Sequence, residues 1–403
     1  MIKLVGITND NFENSTIDEM LSYLKSISEI GLDTETTGFF NHNNKVICLQ
    51  LGDKEIQYVI SEESLIELSK NNRFIELSKT KLFLGHNLKF DYKFMLMYGI
   101  DIINMYDTQL AEMILTTGYE HKEGDLTLKN VCKKYTGVDL DKTIRGNIHK
   151  EGLSDRVIIY AAEDVEHLNN IRLAQLQQLE ELDLLPVLYL ENTSLRVYAK
   201  MEYYGIKLDK SNWINTSKAI RESTKTIENE LDTILLNSCN THYLKTKYVN
   251  NQLTLFDIDS RKVNINWASP AQKLVVLNDL GVKLEDTGMP TLIENSHKHP
   301  IISKLIEFSK HNKLVTSFGM DFLKFINPVT NRVHTNVWQI INSGRISMKD
   351  PNLLQIPAHG DLAGEIKKSF IAEDNYTLID SDFSGMELRI IAELSQDPLW
   401  VET

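Results

Sequence analysis

Asp33 and Glu35 stand two apart behind the apolar pair Ile30 and Leu32. Only a strand, with its period of two, turns both carboxylates to one side and buries Ile30 and Leu32 on the other. Asn87/Asp91 and Tyr160/Asp164 are each four apart, a spacing that shares a face on a helix. A chain with these clusters in this order must bring a strand and two helices around one patch of negative charge. Such a patch is costly to fold around unless cations neutralise it. Four acids with no His or Cys among them favour hard ions, Mg²⁺ or Mn²⁺, over zinc. Two such ions about 3.5–4 Å apart suit in-line attack on a phosphodiester.

The chain has 403 residues, more than one core usually serves, so two or three domains are expected. It has no apolar run of membrane-spanning length and no charged-then-apolar start, which supports neither a membrane span nor a secretory signal. Cys48, Cys132 and Cys239 are too scattered for a disulfide framework or a metal knuckle, so a reducing, intracellular setting is the simplest inference. A net charge of −13 argues against coating nucleic acid by bulk electrostatics. It leaves a nucleic-acid enzyme open, since clustered metal-binding acids add negative charge locally while residues 245–262 carry Lys and Arg.

Residues 1–172 read as alternating α/β. Thr16 with Glu19 three places on is a capping-box pattern that predicts a helix over Ile17–Ser26. Apolar segments 46–51 and 56–60, separated by Gly52-Asp53-Lys54-Glu55, predict a hairpin. A helix is expected over 64–71 and a strand over 81–85, after which His86 opens the helix of Asn87 and Asp91. The pattern predicts a mixed sheet with flanking helices. Residues 164–205 have helical spacing with an interruption at Pro186, and 211–237 another helix. Residues 245–263 read as a basic loop or tip, and Ser269-Pro270 restarts a helix through Leu280. Residues 332–338 and 376–383 read as strands, and 386–394 as a helix, after which the sequence ends on an element it has begun.

Each cluster also has a plainer reading: Asp33 and Glu35 as a solvated strand face, Asn87 as a helix cap, Tyr160 as a half-buried core residue. Gly31 and Gly38, with Thr34, Thr36 and Thr37, are expected to let ligands approach. Phe39, Phe40, Phe90 and Tyr92 are candidates to stack on bases, although core packing is the favoured reading.

Leu32-Asp33-Thr34-Glu35-Thr36, His86-Asn87-Leu88-Lys89-Phe90-Asp91 and Tyr160-Ala161-Ala162-Glu163-Asp164-Val165 resemble the three motifs of the DEDDy 3′–5′ exonucleases, of ribonuclease H-like fold. The resemblance implies that Asp33, Glu35, Asp91 and Asp164 hold two divalent cations and that Tyr160 orients the attacking water. Asn87 would support the substrate or its own helix, and Asp107 is assigned a structural role.

A second resemblance lies further on. Ser343-Gly344-Arg345-Ile346-Ser347, Asp350-Pro351-Asn352-Leu353-Leu354-Gln355-Ile356-Pro357 and Asp380-Ser381-Asp382-Phe383-Ser384-Gly385-Met386-Glu387-Leu388-Arg389 are similar to the first palm motifs of family A (Klenow-type) DNA polymerases. Met201-Glu202-Tyr203-Tyr204-Gly205-Ile206 and Lys313-Leu314-x-Thr316 resemble that family's thumb. By this resemblance Asp382 is a metal-binding carboxylate, Glu387 presses on the sugar of an incoming nucleotide and excludes a 2′-hydroxyl, and Arg345 contacts the primer-template. Arg389 is expected in a salt bridge within its helix. Gly385-Met386 departs from the usual pair at that place.

The expected fold class is therefore α/β: a ribonuclease H-like exonuclease domain over 1–172, a mainly helical thumb-like region over 173–328, and the start of an α+β palm over 329–403. The function implied is removal of nucleotides from DNA 3′ ends with two Mg²⁺ or Mn²⁺ ions. The fingers helix and the second palm carboxylate of the family do not occur in the sequence. Synthesis is thus expected only if a second polypeptide supplies them, as a split gene, for instance a viral one, would; an interrupted or prematurely ended reading frame is the other origin of such a chain. The alternatives are a free-standing 3′–5′ exonuclease and a non-catalytic DNA-binding scaffold.

Overall fold

The computed structural model describes residues 1–119, 124–144, 148–238, 263–357 and 361–402. Residues 245–262, expected as a basic tip, and Cys239 lie outside these.

The first strands are β1 (Ile2–Val5) and β2 (Glu13–Asn14), followed by α1 (Ile17–Ser26). The capping box forms as the sequence predicts: the Glu19 amide donates to Thr16 Oγ1 at 3.2 Å, and the Thr16 amide to Glu19 Oε2 at 2.8 Å. Then come β3 (Glu29–Thr36) and the hairpin β4 (Val46–Gly52) and β5 (Gln57–Ser61). The helix expected over 64–71 is two, α2 (Glu62–Leu68) and α3 (Asn72–Thr80). Asn71 accepts from the Arg73 amide at 2.9 Å and starts a new helix there. Next are β6 (Leu82–Gly85), α4 (Leu88–Met97), β7 (Asn104–Asp107), α5 (Thr108–Leu115), α6 (Leu128–Thr136), α7 (Ile148–Glu151) and α8 (Asp155–Glu166).

The seven strands form one mixed sheet in the order β2-β1-β5-β4-β3-β6-β7, antiparallel only along β5-β4-β3. Alternation sorts its two faces. Leu4, Cys48 and Val59 meet Ile158 and Ala161 of α8 on one side, while Leu32, Leu49, Leu51 and Ile60 join the larger core with α1, α3 and α4 on the other.

Two long helices lead out of this unit, α9 (Leu168–Glu181) and α10 (Leu185–Tyr204). The helical stretch breaks at 182–184, as the sequence predicts near Pro186, and Pro186 itself sits in the first turn of α10, where its missing N–H is harmless. After β8 (Ile206–Leu208), α11 (Lys210–Asn237) packs against α14 (Pro300–Phe318), and α12 (Pro270–Asp279) and α13 (Met289–Glu294) join the same core, in which Ile227, Leu231, Leu277, Leu292, Ile302 and Leu305 are buried. A third core surrounds Trp213, stacked on Phe322 with ring centroids 4.4 Å apart.

The polymerase-like segment differs most from expectation. Residues 332–338 are not one strand: β9 (Arg332–Val333) pairs with β8, and β10 (Asn336–Trp338) pairs with β11 (Ser347–Lys349). After α15 (Asp361–Lys368) and β12 (Phe370–Ile371), residues 376–383 form no strand. Their apolar side chains are open to solvent, with Ile379 at 90% and Phe383 at 80% exposure. A strand needs a neighbour for its amides and a face to bury, and none lies beside this segment among the described residues. The helix expected at 386–394 forms as α16 (Met386–Ser395), and α17 (Pro398–Glu402) follows. No helix among the described residues is long and apolar enough to cross a membrane.

Candidate active site

Alternation along β3 distributes the acids. Asp33 and Glu35 lie opposite Gln50 and Cys48 of β4, on the face that α8 covers, and the register shifts just past Glu35. Gly31, two residues earlier on that face, lets α8 settle: a Cβ there would lie 3.0 Å from both Cβ and the carbonyl oxygen of Val165. Gly31 therefore makes room for the helix that carries Asp164, not for a ligand as its neighbourhood had implied. Asp33, Glu35 and Asp164 consequently offer carboxylate oxygens that all lie within 4.8 Å of one another. Tyr160, one turn before Asp164, is buried.

Asp91 reaches the cluster from the other side. Thr34, between the two strand acids, points toward α4 and donates its hydroxyl to Asp91 Oδ1 at 2.5 Å. Asp91 is buried, and burial first, then the charge of Asp33, pushes its carboxyl well above the usual range. Asp91 is thus outside the tight three-carboxylate group yet close enough to feel it.

Asp107 fixes where α4 begins. It accepts from the amides of Asn87 at 2.9 Å and Leu88 at 2.8 Å, and caps α5 through Gln109 at 2.8 Å and Leu110 at 3.4 Å. Burial pushes its carboxyl up to about 6 against the pull of these four amides. Asn87 is the first residue before α4 and lies in the left-handed region at φ 60° and ψ 42°, which Asn tolerates better than most residues. Its side chain makes no capping bond, so the plain reading of Asn87 as a side-chain cap is not what the fold uses.

The opposite side of α4 is held by a buried carboxylate from α10. Glu202 accepts from Lys89 Nζ at 2.5 Å, from Lys93 Nζ, and from the Val337 amide of β10 at 2.7 Å. Lys89 also donates to the Val337 carbonyl. The helix carrying Asp91 is thereby tied to the polymerase-like segment. Glu202 figures in the sequence reading only within the thumb-like run 201–206, with no role of its own, although a signal was present: it follows the buried Leu195 and Ala199 at helical spacing, a charge on an apolar stripe. Lys142 was passed over. It pairs with Asp164 and lies 4.4 Å from the centroid of the Tyr160 ring. Nothing in its local sequence marks it.

Of the aromatic candidates, Tyr92 is buried, Phe40 packs edge-on against Phe94 with centroids 5.1 Å apart, and Phe90 is partly buried in the same core. Phe39 stands apart at 88% exposure. Arg345 and Glu387 form an exposed ion pair at 3.0 Å, and Asp382 is exposed outside the three-carboxylate group. Arg389 donates to the Ser384 carbonyl at 2.8 Å, not to the carboxylate expected within its helix.

The donor set fits hard divalent cations: three carboxylates in mutual reach, a fourth nearby, and no sulfur or imidazole among them. An ammonium already placed on Asp164 marks the cluster as a place that favours positive charge.

A family model for the 3′–5′ exonuclease matches residues 11–180, and one for DNA polymerase family A matches residues 264–403. The chain is 27% identical to DNA polymerase I of Borreliella burgdorferi over 96% of its length and 41% of that protein's. It is 29% identical to DNA polymerase I of Aquifex aeolicus over 96% of its length and 63% of that protein's. It thus spans less than two thirds of either relative. The POL domain of Pol1 from M. smegmatis, solved in complex with DNA primer-template and dNTP, superposes with a TM-score of 0.70 at 19% identity, covering 99% of this chain and 64% of that one. That likeness shows the fold.

Proposed function

We propose that this chain, whose residues 11–180 match the 3′–5′ exonuclease model and 264–403 the DNA polymerase family A model, removes nucleotides from DNA 3′ ends by metal-dependent hydrolysis. The observation that carries this reading is the convergence of Asp33, Glu35 and Asp164 within 4.8 Å. With Asp91, these side chains would hold two divalent ions, Mg²⁺ or Mn²⁺. When bound, the ions supply the positive charge that acidifies water and offsets charge on a scissile phosphate.

The remaining work falls to the chain. Tyr160, on the same helix face as Asp164, orients the attacking water with a hydroxyl whose ordinary pKa of about 10 suits alignment better than proton removal. Asn87, projecting from the start of α4, supports the substrate strand, and exposed Phe39 offers a surface on which a terminal base stacks. The division of labour assigned is 1–172 for hydrolysis, 173–328 to grip the duplex and 329–403 to begin a palm, although buried residues cross both limits: Leu179, Leu188 and Leu195 join the first core, and Val333 and Ile366 join the core of Trp213.

In that palm, Asp382 takes a metal ion, while Arg345 and Glu387 exchange their mutual ion pair for contacts with primer-template and nucleotide. The exposed apolar side chains of Ile379, Phe383, Leu394 and Leu399 favour a further palm and fingers, supplied by a second polypeptide, packing there. Buried free thiols at Cys48 and Cys132 accord with an intracellular protein.

The test is a 3′-labelled primer incubated with the purified chain and Mg²⁺. Stepwise loss of single nucleotides, abolished in Asp33→Ala, is expected. Absence of degradation by the wild-type chain would leave a binding scaffold.

A further inference from the structure

Lys142 occupies a position that the exonuclease reading leaves without a role. It lies in the connection after α6, far in sequence from β3, yet its ammonium donates to Asp164 Oδ1 and sits 4.4 Å from the Tyr160 ring centroid. The Lys142 side chain is 21% exposed and that of Asp164 is 7%. The carboxylate is therefore buried, while the lysine side chain that pairs with it is partly exposed. Asp164 is one of the three acids whose oxygens crowd within 4.8 Å. A divalent ion that takes Asp164 as a ligand competes with this ammonium for the same carboxylate.

We propose that Lys142 is the resident counter-ion of the metal-free site: it neutralises part of the carboxylate cluster and must be displaced before the cluster can load a divalent cation. The inference rests on the exonuclease reading and adds a control on metal loading to it. The physical basis is competition. Close carboxylates repel one another, and a tethered ammonium relieves that repulsion without the cost of capturing an ion from solution. A cation entering the site gives up part of its binding energy to release the lysine, so affinity in the absence of substrate is set below what the acids alone would reach. Lysine suits this part better than arginine would in one respect: it is a point charge on a flexible stem and leaves as readily as it arrives.

Two variants of the full chain test this. Lys142→Met keeps the aliphatic stem against Tyr160 and removes the charge, and Lys142→Arg keeps the charge. Mn²⁺ binding to the DNA-free proteins is measured by calorimetry and by loss of the free-ion electron paramagnetic resonance signal, with Asp33→Ala as the control that locates binding at this site. Lys142→Met is expected to bind Mn²⁺ about tenfold more tightly than wild type, and Lys142→Arg within about twofold of it. Equal or weaker binding by Lys142→Met overturns the proposal while the metal site stands. Absence of Asp33-dependent Mn²⁺ binding in every protein overturns both. A measurement on the wild-type chain needs no variant: modification of Lys142 by an amine-reactive reagent, followed by mass spectrometry, is expected to rise severalfold when Mn²⁺ is added. Reactivity that stays the same with Mn²⁺ bound contradicts displacement.

Discussion

Replacing Glu202 by Gln removes a negative charge from between two shielded ammonium groups and keeps nearly the same volume. The Glu202 side chain is 3% exposed, and those of Lys89 and Lys93 are 16% and 9%. Removing one partner of a buried ion pair costs about 3–5 kcal/mol, because the group left behind stays desolvated and unpaired. Two cations remain here, which argues for the upper part of that range. Burial already pushes Lys89 down, however. It sheds its proton more readily once the carboxylate is gone, and that relief brings the expected cost to about 3 kcal/mol. The loss is local to the seam between α4 and α10, so it is read by hydrogen exchange of α4 amides at pH 7, where about 3 kcal/mol makes opening roughly 150-fold more frequent.

Acid provides the check on sign. Burial raises the Glu202 carboxyl, but Lys93 and Lys89 together outweigh it and hold the group below its ordinary value. A depressed carboxyl contributes its stability in full above about pH 5 and loses it as pH falls through the folded value, below about 4.3. The difference between wild type and Glu202→Gln should therefore widen as pH falls from about 7 to about 5, because Lys89 without its carboxylate must take its proton back, and close only in more acid solution, where wild-type Glu202 is protonated too. A triple replacement, Lys89→Met, Lys93→Met and Glu202→Leu, should exchange within about tenfold of wild type, since well-packed apolar groups replace buried charge at little cost. Wild-type exchange rates in Glu202→Gln at pH 7, or a difference that persists undiminished in acid, would refute the reasoning.

Gly31→Ala places a methyl 3.0 Å from Val165 and 3.1 Å from the Gly52 carbonyl; calorimetry should show a loss of about 1–3 kcal/mol, and nuclease assays a larger loss of rate, about 100-fold, as α8 lifts Asp164 from its partners. Because burial and Asp33 keep a proton on Asp91 to higher pH than an ordinary carboxyl, loading the site with Mn²⁺ should release that proton and tighten as pH rises, seen as a buffer-dependent heat in calorimetry. Asp107→Ala leaves four amide donors without their acceptor and should destabilise by about 3 kcal/mol or more, with Asp107→Asn milder, in urea titrations of α4 and α5 protection. Phe39→Ala, which removes an 88%-exposed ring, should raise KM for single-stranded 3′ ends by about tenfold and leave kcat and melting temperature unchanged.

Several of these expectations start from features that were readable residue by residue. The capping box of α1 needs only Thr16 and Glu19, and the β4–β5 hairpin only two apolar runs and a polar turn. The strand of Asp33 and Glu35 and the helices of Asp91 and Asp164 follow from periods of two and of four. Each depends on neighbours in sequence, so a pattern suffices. The reading failed where an element depends on what lies beside it. Residues 376–383 have the apolar composition of a strand but no neighbour among the described residues, and residues 332–338 divide between two sheets because β8 and β11 take different halves.

Spacing, by itself, determined which side chains share a face, where helices start, and which charges must be offset by cations. Tertiary structure decided how those faces meet. It set Gly31 under Val165, so that α8 comes close enough to bring Asp164 to Asp33 and Glu35. It turned Thr34 toward Asp91, put Lys142 on Asp164, and sank Glu202 between two lysines. These contacts join residues up to more than a hundred positions apart. Their energies come from burial and opposite charge at short range, and neither exists until the surfaces have closed on one another.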